Sequence, residues 1–194
     1  MRQMIESMAE ESARVIRESI TQNVGLLYAA ATMIAEALAA GGKILLCGNG
    51  GSAADSQHIA AEFVNRFAME RPALAAVALT TDTSTLTAIA NDYSFDDIFA
   101  RQVMALGRPG DLCWAISTSG RSPNVLLAAD AARRLSMRVL AFTGGAGLPL
   151  SEKADICFIA ASSSTPRIQE AHITAAHILC DLSEKILFPR SREV

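Results

Sequence analysis

A histidine and a carboxylate at helical spacing are the first features of this chain that could bind a metal or move a proton. His58 and Glu62 lie four residues apart in SQHIAAEF, so on a helix they share one face. A second group lies in RIQEAHITAAH, where Gln169, His172 and His177 sit beside Arg167 and Glu170. Gln169 and His177 would be about 80° apart around a helix and could face one site. His172 falls about 60° round on the other side of Gln169. His58, Glu62, Gln169 and His177 form a nitrogen and oxygen donor set suited to a divalent metal such as zinc. Gln is an uncommon member of such a set, and a lone histidine on a helix is as often structural.

Two loops could hold an anionic ligand for that chemistry. The first is CGNGGSAAD, with Gly48, Gly50 and Gly51 closely spaced. Glycines allow a tight turn and a close approach of backbone to ligand. Ser52 is expected to cap the helix that follows, with Asp55 completing a loose capping box. Gly48, Gly50 and Ala53 also fit a loose dinucleotide fingerprint, but that fingerprint needs an acid at the end of the second strand about twenty residues on, and here the strand ends in Thr80-Thr81-Asp82, about thirty residues on. The second loop, Ser117 to Ser122, carries four hydroxyls in six residues. Ser122 suits an N-cap and Pro123 the first helical position. Hydroxyls and backbone amides at a helix start are what a phosphate needs where no lysine is at hand.

The elements that must position these groups are legible as alternating patterns. Five short apolar runs, Lys43–Cys47, Ala75–Leu79, Leu112–Ser117, Arg138–Thr143 and Ile156–Ala160, do not alternate in polarity, which fits strands buried on both faces. Helical patterns lie between them at Ala53–Phe67, Ser84–Ala90, Phe95–Leu106 and Pro123–Leu135, with a long one over Pro166–Leu187. Strand–helix alternation predicts an α/β fold with a five-stranded parallel sheet and right-handed crossovers. Both loops then follow strands at their carboxyl ends, where open α/β sheets bind ligands.

Residues 1–40 carry helical spacing with a break near Asn23–Gly25, and Gly41-Gly42 is expected to end the second helix. We expect this segment and the region 41–190 to form one structural domain, with the broad apolar stripes of the first helices used in subunit packing. The tail PRSREV is expected to fray.

Bulk properties exclude several classes. The chain has 194 residues, and 17 Lys and Arg against 20 Asp and Glu leave a net charge of −3 with no basic run beyond Arg133-Arg134. A nucleic-acid partner is not expected from such a surface. No apolar run approaches the roughly 20 residues of a membrane span, so no membrane partner is expected. Cys47, Cys113, Cys157 and Cys180 form no CxxC pair and fit reduced core thiols. With the polar, acidic start MRQMIESMAEES, this predicts a cytoplasmic protein.

Four segments in order, CGNGGSAADSQHIAAEF, LTAIANDYSFDDIF, ISTSGRSPN and TPRIQEAHITAAHILC, resemble the sugar isomerase (SIS) family, and within it the bacterial phosphoheptose isomerases. The resemblance implies a single SIS domain that converts sedoheptulose 7-phosphate to a glycero-manno-heptose 7-phosphate for lipopolysaccharide precursors. It also implies a zinc-containing homotetramer with sites between subunits. Carried onto this chain, Asn49, Gly50, Gly51, Asn91 and Asp92 contact substrate, and Ser117, Thr118, Ser119 and Ser122 hold its phosphate. His58, Glu62, Gln169 and His177 hold the metal, with Glu62 and Gln169 also touching substrate. Glu62 and His177 are the acid–base pair.

The segment RFAMERPALAAVALTTDTSTLTAIAND equally resembles SIS proteins that bind the replication initiator without catalysis. Those regulators lack the acid and histidine that this chain has at Glu62 and His177. Isomerisation of another ketose phosphate is the remaining alternative.

Overall fold

Two helices begin the chain, α1 (Arg2–Gln22) and α2 (Val24–Ala39). Five strands follow: β1 (Ile44–Gly48), β2 (Ala76–Ala78), β3 (Leu112–Ser117), β4 (Arg138–Gly144) and β5 (Ile156–Ala160). Between them run α3 (Gly51–Val64), α4 (Thr83–Asp92), α5 (Ile98–Leu106) and α6 (Pro123–Arg134), and α7 (Thr165–Leu187) comes last. This architecture comes from a computed structural model that describes residues 1–189; the tail expected to fray lies, after Pro189, outside the described residues. Among the described residues no helix is long and apolar enough to cross a membrane.

The sheet is parallel throughout, in the order β2-β1-β3-β4-β5. Every residue of β1 and β3 is buried, so their side chains feed two cores on opposite faces. Ile44, Leu46, Leu112, Trp114 and Phe142 join α2, α3 and α7 in one core. Leu45, Cys47, Cys113, Val139 and Ala141 join α5 and α6 in the other. The expected strands are found with ends shifted by a residue or so, and β2, at one edge of the sheet, is the shortest, with Val77 exposed. All four cysteines are free.

The predicted break between the first helices is a single residue, Asn23, whose Nδ2 donates to the Ser19 carbonyl at 2.8 Å. Helix α2 stops at Ala39, just before the two glycines. The two patterns at Ser84–Ala90 and Phe95–Leu106 become α4, capped by Asp82 through the Thr85 amide (2.9 Å), then a 3-10 turn at Phe95–Asp97 that leads into α5.

At the amino edge of the sheet, Asp111 ties β1 to β3. Its carboxylate accepts the Lys43 amide at 2.9 Å and the Arg108 amide at 2.8 Å, and it pairs with the Lys43 ammonium. Helix α1 is exposed over its first three turns and buries only Val15 and Ser19. Helix α2, by contrast, is built into the core through Leu27, Ile34 and Leu38.

Because Ile34 is fully buried between α2 and the sheet, Ile34→Ala is expected to cost about 2–5 kcal/mol of stability through lost burial and a residual cavity. Urea unfolding measures it, and a loss below about 1 kcal/mol would mean that α2 is not part of the same core.

Candidate functional site

The strand order reverses between β1 and β3: one neighbour chain of strands leaves β1 toward β2, the other leaves β3 toward β4. Reversal leaves a crevice at the carboxyl ends of these two strands, because the loops after them diverge to opposite faces. Both candidate loops open there. Asn49 after β1 and Asn124 at the start of α6 bridge the crevice with two reciprocal amide bonds of 2.8 and 2.9 Å. Asn124 is a residue that sequence reasoning missed, and only the strand order could have brought it to the first loop.

The first loop differs from expectation at its cap. Gly50, at φ 55°, is the N-cap of α3, and no side chain caps the helix. Ser52 lies inside the first turn and is buried, so it does not cap, and no capping box forms with Asp55. The helix N-terminus is thereby left free of side-chain competition for a ligand. Gly51 leaves room for the Gln169 side chain: a Cβ there would meet its Cδ at 2.8 Å and push the amide aside. This packing sets Gln169 of α7 against the start of α3.

In the second loop the hydroxyls converge. Ser117 Oγ lies 2.9 Å from Ser122 Oγ and 3.5 Å from Ser119 Oγ. Pro123 does stand at the start of α6, but Ser122 makes no side-chain cap and turns its hydroxyl to Ser117 instead. Gly120 holds the turn at φ 67°, where an added Cβ would lie 2.7 Å from the Gly147 carbonyl. The Thr118 carbonyl accepts the Gly144 amide, which ties the loop to the end of β4.

His58 and Glu62 do share one face of α3, with 3.4 Å between Nε2 and Oε1. That face meets α7, where His177 brings its Nε2 to 2.9 Å from His58 Nε2. One donor atom from each of the three residues falls within 4.8 Å of the others. Tetrahedral zinc ligands about 2.0–2.1 Å from an ion stand roughly 3.3 Å apart, so the triad has the spacing and the chemistry to hold one. Phe67 backs the His177 ring at a centroid distance of 5.5 Å.

His172, kept out of the donor set by its helical angle, is buried. Its Nε2 lies 3.0 Å from the Thr143 carbonyl and its Nδ1 has no partner. Burial pulls its pKa down to about 4, against the opposing effect of the Thr143 contact. Asn91 and Asp92, at the exposed end of α4, bond each other at 2.8 Å; among the described residues no hydrogen bond joins them to the triad or to either loop.

Asp55, expected only as a capping partner, stands one turn before His58 with one carboxylate oxygen buried and unpartnered. Burial lifts its pKa to about 6, opposed by the nearby His58. The i, i+3 and i, i+7 spacings to His58 and Glu62 were the available signal.

A family model described as the SIS domain matches residues 8–144. The chain is 56% identical over 185 residues to the phosphoheptose isomerase of Desulfovibrio desulfuricans, covering 95% of this chain and 88% of that protein. Among solved structures, the phosphoheptose isomerase of Neisseria gonorrhoeae superposes with a TM-score of 0.90 at 44% identity, covering 95% of this chain and 98% of that one. The phosphoheptose isomerase of Francisella tularensis gives 0.91 at 40% identity, with 94% and 97% covered.

The buried His172 has a consequence for acid stability. An unfolded histidine takes up a proton near pH 6.5, while folded His172 resists it down to about pH 4. The unfolded state therefore binds more protons in that window, and stability falls as pH drops through it. Asp55 acts in the opposite sense, so the test is the difference between wild type and His172→Gln. That difference should move against the wild type by about 1.5 kcal/mol between pH 6.5 and 5. A pH-independent difference in urea midpoints would refute it.

Proposed function

The chain belongs to the SIS-domain family, and we propose that it isomerises D-sedoheptulose 7-phosphate to D-glycero-D-manno-heptose 7-phosphate. The observation that carries this reading is the meeting of His58, Glu62 and His177 across α3 and α7, on a sheet whose carboxyl edge bears a cluster of converging hydroxyls. The phosphate is assigned to Ser117, Thr118, Ser119 and Ser122 with the N-terminus of α6. Asn49, Gly50 and Gly51 are assigned to the sugar body, and Asn91 and Asp92 to further substrate contacts.

Moving the carbonyl from C2 to C1 requires a proton to leave C1 and one to arrive at C2, through an enediol. In this reading Glu62 takes the C1 proton and returns it to C2. The hydroxyl at C1 must lose its proton while the oxygen at C2 gains one, and His177 carries that exchange. A divalent ion such as zinc, held by His58, Glu62, Gln169 and His177, would supply polarisation of the sugar oxygens. The half-buried setting of Glu62 beside His58 supports a reading in which it serves as metal ligand and base in turn.

The product is a precursor for heptose in lipopolysaccharide. The exposed Met4, Ile5 and Met8 of α1 and Val24 and Tyr28 of α2 support subunit packing, and we assign four copies to the assembly. Cytoplasmic work suits the four free thiols. A scaffold that only binds the replication initiator would have no use for a carboxylate and two imidazoles held together.

Wild type incubated with sedoheptulose 7-phosphate should yield the aldose, and Glu62→Gln should lose roughly 10²-fold or more in kcat while still binding the ketose. An aldose yield unchanged in that variant would overturn the assignment of the base. Ser119→Ala with Ser122→Ala should raise KM several-fold with a smaller effect on kcat, because their contacts to phosphate persist through the reaction. Steady-state kinetics with an unchanged KM would remove the phosphate assignment.

A further inference from the structure

Behind the triad lies an ion pair that the proposed chemistry does not use. Arg71 and Glu184 have side chains only 1% exposed and meet at 2.9 Å, Nε to Oε1. Every polar atom of the pair is engaged. Glu184 accepts the amides of Phe67, Ala68 and Met69 at 2.7, 3.0 and 3.2 Å. Burial alone would push its carboxyl up, but these amides and Arg71 hold it below the usual range. Arg71 Nη1 donates to the carbonyls of Phe63 (2.7 Å) and Pro72 (3.0 Å), and Nη2 donates to the carbonyl of Glu62 itself at 2.8 Å.

The geometry links this pair to both halves of the site. Glu62 is caught by its own carbonyl at the last turn of α3. Glu184 stands seven residues after His177, two turns along the same face of α7. The residue whose amide Glu184 holds most tightly, Phe67, is the one whose ring backs His177. Resting on the reading of this site as an isomerase centre, we propose that Arg71 and Glu184 are positioning residues that lock α3 against α7 at the separation where His58, Glu62 and His177 converge. A lysine at position 71 would keep the charge but not the fork that reaches Glu184 and Glu62 together. A pair this buried is weak evidence for stability as such, since apolar residues often serve as well. Its specific value here is the fixed distance.

The chain has three histidines, so their imidazole NMR signals report the site directly in protein free of metal and substrate. The variants are Arg71→Lys and Glu184→Gln, with Asp111→Asn as a control that weakens an ion pair between β1 and β3, outside α3 and α7. In Arg71→Lys and Glu184→Gln the ring signals of His58 and His177 should shift and their Overhauser contacts with each other and with Phe67 should weaken. The His172 signal should hold. Zinc affinity, measured by chelator competition, should fall roughly 10-fold or more, and kcat by a similar factor with KM changed less. Asp111→Asn should lower the urea midpoint and leave these readouts alone. Variants at 71 and 184 that lose stability as the control does, while keeping the ring contacts and zinc affinity, would overturn the proposal. The isomerase reading is scored separately, by wild-type turnover of the heptose. Displaced rings uphold the clamp even if that turnover is absent, and undisplaced rings sink it even if turnover is fast.

Discussion

The reversal of strand order between β1 and β3 is the constraint on which the site depends. Parallel strands send all their carboxyl ends to one edge, and a reversal parts the loops there instead of stacking them. The amide pair of Asn49 and Asn124 spans that parting. From one side springs α3, carrying His58 and Glu62; on the other the hydroxyls of Ser117, Ser119 and Ser122 gather. Helix α7 then closes over the same face of the sheet as α3, and Gln169 packs on Gly51 where the two helices begin.

Much of this was legible in the sequence, and the reasons are specific. Fully buried parallel strands such as LCWAIS lack alternation, and helices of fixed period put His58 with Glu62 and separated His172 from His177. Spacing and the resemblance of four segments singled out His58, Glu62 and His177, which meet in the fold, and the resemblance implied the reaction. What local pattern could not reach is contact across the fold. Ser52 and Ser122 looked like caps because capping is judged from neighbours along the chain; both are occupied elsewhere, one in packing and one with Ser117. Asn124, Phe67 and the Arg71–Glu184 pair depend on residues about 75 to 117 positions away, for which sequence carries no periodicity.

The buried ionisable groups divide by how completely they are satisfied. Glu184 receives four donors and stays charged in the interior. His172 has one partner and one orphaned nitrogen, and burial favours its neutral form. Asp55 has a buried oxygen with nothing to accept, and its proton is held more tightly. The same low-polarity surroundings thus yield a structural anion, a neutral prop under β4, and a carboxyl poised beside the triad, according to the donors each one meets.

His58 and His177 are 119 residues apart in sequence yet touch in the fold. Closure of so long a loop must be rewarded by other contacts, so this meeting depends on the packing of α7 against α3. During synthesis both loops and all five strands emerge before α7 is made. A growing chain therefore carries the residues of its hydroxyl cradle before its second imidazole, so the triad is complete only once α7 has been made and packed.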